Sequence, residues 1–119
     1  MNIAKKIVVV EDEHDLLEMI CLSLRRAGYK VFPTKTCSEG LMTVYLEQPL
    51  LLLTDHVLPD ERGSELIRKI KNDPKTSAVK TILMTAGSRM SVSASVPDLL
   101  LMKPFALKDL NSMIGHMVD

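Results

Sequence analysis

The sequence predicts an α/β fold, a parallel sheet with helices on both sides, and three observations predict it. Short β-branched or leucine-rich runs alternate with segments whose apolar residues recur at helical spacing. The short runs are apolar on successive residues, as strands buried on both faces are, rather than alternating apolar with polar. Several of these runs also stop at a charged residue or a hydroxyl: Glu11-Asp12, Asp55, Thr85 and Lys103. One domain is expected over residues 1–119, because a chain of 119 residues builds one core and leaves no room for a second.

The first strand is Ile7 to Val10, too short for a helix. From Asp15 the residues Leu16, Leu17, Ile20, Leu24 and Ala27 repeat at helical spacing, and Gly28 supplies the stop. Tyr29 to Pro33 makes a second strand. Thr36-Cys37-Ser38-Glu39 fits a capping box, opening a second helix whose expected inward face is Leu41, Met42, Tyr45 and Leu46. Leu50 to Thr54 is the third strand. Ser64 to Asn72 is a helix carrying Leu66, Ile67 and Ile70, ended by Asp73-Pro74. Thr81 to Thr85 and Asp98 to Met102 are the fourth and fifth strands, and Leu107 to Met117 is a closing helix with Leu107, Leu110, Met113 and Ile114 inward. Between the fourth and fifth strands, AGSRMSVSASVP is rich in serine and valine and poor in helix formers, so a short, irregular or mobile helix is expected there.

Fifteen basic residues balance fifteen acidic ones, which gives no electrostatic footprint for nucleic acid or an anionic membrane. The N-terminus, MNIAKKIVVVEDE, has no cleavage site and runs at once into acids, and no apolar run is long enough to cross a bilayer; a cytoplasmic protein is expected. Cys21 and Cys37 have no CxxC spacing or nearby histidine and read as buried or half-buried free thiols. The eight methionines read as core filler. His14 and His116 are expected at helix ends, and His56 as an exposed loop side chain despite its place beside Asp55.

In an open parallel sheet, ligands bind beyond the carboxyl ends of the strands. Glu11, Asp12 and Asp55 converging there would repel one another unless a positive charge lay between them. A hard divalent cation such as Mg²⁺ fits oxygen ligands and keeps waters in its shell, so one or two carboxylates and a carbonyl suffice. Asp55, on a stiff strand, could then act as a nucleophile towards phosphorus, with Lys103 offsetting charge and Thr85 hydrogen bonding to the phosphoryl oxygens. Pro59 is expected to shape the following loop, and Gly63 to allow a backbone conformation that other residues resist.

Glu11-Asp12, the D-x-x-L-P-x-x-x-G run of Asp55, Leu58, Pro59 and Gly63, Thr85-Ala86, and Lys103-Pro104-Phe105 together resemble the receiver domain of two-component response regulators. The resemblance covers essentially the whole chain, with four weak motifs in register. It implies a flavodoxin-like three-layer α/β/α sandwich with five strands in the order 2-1-3-4-5 and five helices, here with a shortened or irregular fourth helix. It implies that Asp55 accepts a phosphoryl group from a sensor histidine kinase or histidine phosphotransfer protein and switches a downstream protein target. Mg²⁺ would be bound by Asp12 directly, by Glu11 mainly through water, by Asp55 and by the Val57 carbonyl. Thr85 and Lys103 would contact the phosphoryl oxygens, the Lys103-Pro104 bond would be cis and would fix the lysine's approach, and the domain would catalyse its own dephosphorylation.

Two features depart from the family pattern. Leu100 stands where an aromatic residue usually turns inward with the threonine, and the interval from Thr85 to Lys103 is about one helical turn short. Both fall on the surface that most receivers use for output and dimerisation, which leaves readout and oligomeric state open. Val57 and Gly87, two places after Asp55 and Thr85, flank the attacking water in receivers; an apolar Val57 cannot orient it, so decay no faster than typical is expected. The alternatives are a receiver fold that serves as an interaction module without phosphorylation, and, less favoured, a small phosphohydrolase with an aspartyl-phosphate intermediate. The latter would need a DxD nucleophile after strand one, where this chain has Glu11-Asp12-Glu13, and the same acids would repel the phosphate of a bound FMN.

Overall fold

A computed structural model describes residues 4–86 and 97–118. Its elements run β1 (Lys6–Val10), α1 (His14–Arg26), β2 (Lys30–Thr34), α2 (Cys37–Glu47), β3 (Leu51–Asp55), α3 (Gly63–Asn72), β4 (Lys80–Ala86), β5 (Leu99–Lys103) and α4 (Leu107–Val118). All pairings between strands are parallel, and the strand order is β2-β1-β3-β4-β5. Each element expected within the described residues exists within a residue or so of its expected bounds. The irregular helix expected between the fourth and fifth strands, with Gly87, lies outside the described residues.

The pleat sorts the core into two layers. Ile7 and Val9 of β1 and Leu51 and Leu53 of β3 face α1 and α4, where Leu17, Ile20, Leu24, Leu110 and Ile114 meet them. Val8, Val10 and Leu52 point the other way, towards Val44 of α2 and Leu66, Ile67 and Ile70 of α3. Both layers are needed because a central parallel strand is apolar on each face. β4 and β5 are tied to α3 at their N-terminal edge: the Asp98 carboxylate accepts hydrogen bonds from the Thr81 N–H at 2.8 Å and from Lys71 at 2.7 Å.

Local signals account for the helix ends. Gly28 adopts φ +101°, the left-handed conformation that stops α1. Thr36 Oγ1 accepts the Glu39 N–H at 3.1 Å, and Glu39 reaches back to the Lys35 N–H at 2.9 Å, one residue before the cap. Asp73, extended at φ −102°, ends α3 before Pro74.

Two expectations fail here. The buried residues of α2 are Cys37, Gly40 and Val44, while Met42, Tyr45 and Leu46 are exposed. The cause is Gly40: a Cβ there would lie 2.6 Å from Val10 Cγ2, so the helix backbone rests directly on the sheet along its small side. Nor are the methionines core filler as a class, since Met84 is fully buried but Met19, Met42 and Met102 are exposed. Cys21 and Cys37 are free thiols and buried, as expected.

Candidate functional site

The strands place their last residues at one edge, and there the expected acids meet. Glu11, Asp12 and Asp55 each offer a carboxylate oxygen within 4.8 Å of the others. Glu11 follows β1 directly, fixed by its N–H to the Thr34 carbonyl at 3.0 Å, and its Oε2 accepts the Glu13 N–H at 3.0 Å. Asp55 is the last residue of β3 and pairs with Met84 in the ladder, so its backbone is held by the centre of the sheet. Asp12 is exposed, whereas Glu11 and Asp55 are buried.

Lys103 closes the group from β5. Its Nζ donates to Glu11 Oε1 at 2.9 Å and lies 3.1 Å from Asp55 Oδ1. Burial pushes the Glu11 carboxyl above its ordinary value, and the neighbouring Asp55 charge adds to this; the Glu13 N–H and Lys103 act against it. Burial alone would depress the Lys103 ammonium, but the Glu11 bond and the Asp55 charge outweigh it and hold the lysine above its usual range. The Lys103-Pro104 peptide is cis, as the resemblance implies. Thr85 is buried at the end of β4, beside Ala86, whose register partner is Lys103.

The donor set fits a hard cation. Three carboxylates gather at an open edge, one of them exposed, and the only ammonium bridging them among the described residues contacts two, leaving Asp12 free for a metal. The Val57 backbone follows in the loop, where Val57 forms an isolated bridge to Arg62 while its side chain stands 68% exposed.

Gly63 is required for a reason other than the expected one. Its φ is not positive; instead a Cβ would sit 1.9 Å from the Asp55 carbonyl oxygen, so only glycine lets α3 begin this close to the strand end. His56 also departs from expectation. It is only 4% exposed, its N–H donates to the Met84 carbonyl at 2.9 Å, and its Nε2 lies 3.3 Å from Arg62. Burial, followed by the Arg62 charge, holds the imidazole below its usual range, and Nδ1 is buried without a partner. A side chain one residue past Asp55 continues the pleat onto the α3 side of the sheet, away from the carboxylates. His14 and His116 do sit at the ends of α1 and α4, and Leu100 packs, partly buried, against the α2–α3 layer.

The family model of the response regulator receiver domain matches residues 7–115. The chain belongs to the response regulator receiver domain family. Receiver domains are signalling domains. The chain is 33% identical over 84 residues to the phosphate regulon transcriptional regulatory protein PhoB of Pseudomonas aeruginosa, covering 71% of this chain and 37% of that protein. To the protein of the same name in Rhizobium meliloti it is 30% identical, covering 95% of this chain and 52% of the relative. It therefore spans about half the length, or less, of these curated relatives. A CheY-like receiver domain protein from Methanospirillum hungatei JF-1 superposes with TM-score 0.91 at 30% identity, over 98% of this chain and 95% of that one. Among the described residues no helix is long and apolar enough to cross a membrane.

Proposed function

We propose that residues 1–119 form one receiver domain that accepts a phosphoryl group on Asp55 from a histidine kinase or histidine phosphotransfer protein, with Mg²⁺, and thereby changes its contacts with a downstream protein. The observation that carries this reading is the bridge of Lys103 between Glu11 and Asp55, at the same edge as Asp12 and Thr85. That group is what an in-line transfer to a carboxylate requires.

Asp55 is the acceptor because it ends a strand that lies between β1 and β4, in register with Met84 of β4, and its carboxylate lies within 4.8 Å of those of Glu11 and the exposed Asp12. One carboxylate oxygen forms the new P–O bond as the P–N bond of the donor phosphohistidine breaks, and that bond's electron pair leaves with the imidazole. Asp12, with Asp55, the Val57 carbonyl and Glu11 through water, would hold Mg²⁺, which when bound supplies positive charge against the phosphoryl oxygens. Lys103 is already within reach of Asp55 and shifts its hydrogen bond to a phosphoryl oxygen, and the Thr85 hydroxyl takes another. Such charge-assisted bonds are of the size needed to make a state populated at a few per cent dominant, about 3–5 kcal/mol.

Intact mass after incubation with acetyl phosphate tests this. A gain of one phosphoryl group that needs Mg²⁺ and is absent from Asp55→Asn supports the reading. Labelling of Asp55→Asn to the same extent overturns Asp55 as the acceptor, and no labelling under conditions that label an ordinary receiver overturns the reading in favour of an interaction module. Decay of the phosphoryl group is expected to be no faster than in an ordinary receiver, and Val57→Asn to change its rate; rapid decay indifferent to Val57→Asn counts against an influence of that residue.

A further inference from the structure

The inverted packing of α2 leaves a feature that phosphoryl chemistry does not use. Because Gly40 and Val44 face the sheet, the large side chains of the helix turn outward: Met42 is 64% exposed and Leu46 74%. With Leu41, Tyr45 and Leu66 they line a groove of about 510 Å³ between α2 and α3. Contiguous exposed apolar side chains rimmed by polar ones are the ordinary signature of an interaction surface.

The rim is acidic although the chain as a whole is neutral. Asp60 and Glu61 line the groove on the α3 side, with Lys69 the one ammonium there among the described residues, bonded to Glu61 at 2.9 Å. The α2 helix carries Glu39 and Glu47 and no basic residue, though Lys6 lies 3.2 Å from Glu47. Asp73 stands beside Tyr45, accepting its hydroxyl hydrogen bond. The walls are also held together: the Asp60 carboxylate accepts the Cys37 and Ser38 N–H groups at 2.9 and 3.0 Å, so the loop before α3 caps the first turn of α2. The groove is thus preformed.

We propose that this groove docks a basic amphipathic helix of a partner protein, with its apolar face over Met42, Tyr45 and Leu46 and its Lys or Arg residues towards Asp60 and Glu61. An apolar stripe in a preformed groove is the helix-in-groove mode of recognition, and opposite rim charge selects and orients the helix. A second copy of this chain fits worse. A concave face cannot fill its own duplicate, and α2 laid antiparallel on itself sets Glu39 against Glu47. The surface is distinct from the carboxylate edge and does not require Asp55 to be phosphorylated.

A fluorescein-labelled peptide of about 18 residues, five helical turns with leucines at i, i+3, i+4 and i+7 and lysines elsewhere, serves as the probe. Anisotropy titration with the full chain is expected to show binding that falls about tenfold or more in Met42→Ser/Leu46→Ser. Binding should persist in Met19→Ser/Leu22→Ser, which strips the exposed apolar residues of α1 instead. Amide chemical-shift changes on peptide addition are expected to concentrate in residues 37–48 and 60–69. The proposal is overturned by absent binding, by equal binding of a peptide with glutamate in place of lysine, or by shifts centred on α1. It is also overturned if sedimentation shows a dimer of the free chain that Met42→Ser/Leu46→Ser dissociates. Asp55→Asn should bind the peptide as the native chain does, which separates failure here from failure of the phosphoacceptor reading.

Discussion

Helices α1 and α2 flank the same sheet and carry similar numbers of large apolar side chains, yet they use them in opposite ways. α1 presses Leu17, Ile20 and Leu24 into the core and holds the sheet at side-chain distance. α2 presses Cys37, Gly40 and Val44 inward, brings its backbone close to Val10, and spends Met42 and Leu46 on the surface. Burial of large side chains is what stabilises the α1 layer, whereas close backbone approach shapes the α2 layer. Helical periodicity says which residues share a face; it does not say which face meets the sheet.

The difference can be broken at several points. Leu24→Ala on α1 should produce the largest loss, about 2–5 kcal/mol, because it empties a fully buried site; urea unfolding reads it, and a loss under 1 kcal/mol would mean that the layer collapses around the gap. Gly40→Ala on α2 comes next. The new methyl meets a stiff valine, so overpacking of about 1–3 kcal/mol should exceed the roughly 1 kcal/mol gained in helix propensity. A more stable Gly40→Ala protein would show that α2 is free to lift and that its close approach is incidental.

Cys37 gives the comparison a pH signature. Burial, and then the charges of Asp60 and Glu61, push its thiol up to about 12, against an ordinary value near 9. The unfolded chain therefore loses this proton first, so stability is full below pH 9 and declines as pH rises from 9 towards 12. Over the first unit above 9 the contribution is at most about 1.4 kcal/mol. Cys37→Ala should flatten that slope; an unchanged slope assigns the alkaline loss to other groups. Burial raises the Cys21 thiol on α1 as well, but with Arg25 rather than two carboxylates nearby, so Cys37 should alkylate more slowly than Cys21 at equal exposure. The smallest effect belongs to Met42→Ser/Leu46→Ser, expected within about 0.5 kcal/mol of the native chain in thermal unfolding. A large loss there would mean that the outward face of α2 is part of the core after all.

The site was legible from the chain to a degree that the helix packing was not. Glu11, Asp12, Asp55, Thr85 and Lys103 each stand at or just past the end of a recognisable strand, and parallel strands necessarily bring their C-terminal ends to one edge. His56 was not legible, because a residue just past a strand end reads as loop; its burial comes from the ladder bond to Met84 and the Arg62 side chain six residues on. Gly63 announced itself as a glycine but not its reason, which is a carbonyl oxygen eight residues earlier in the chain.

By itself, then, the sequence determined the elements, their alternation and the gathering of acids with one lysine, since local periodicity, caps and strand ends are written in neighbouring residues. Tertiary structure alone decided that Lys103 bridges Glu11 and Asp55 and leaves Asp12 uncovered, that α2 turns its small side inward, and that an apolar groove with an acidic rim opens between α2 and α3. Those outcomes depend on distances between groups far apart in the chain, such as Gly40 against Val10, and a spacing pattern carries no measure of how closely two backbones can approach.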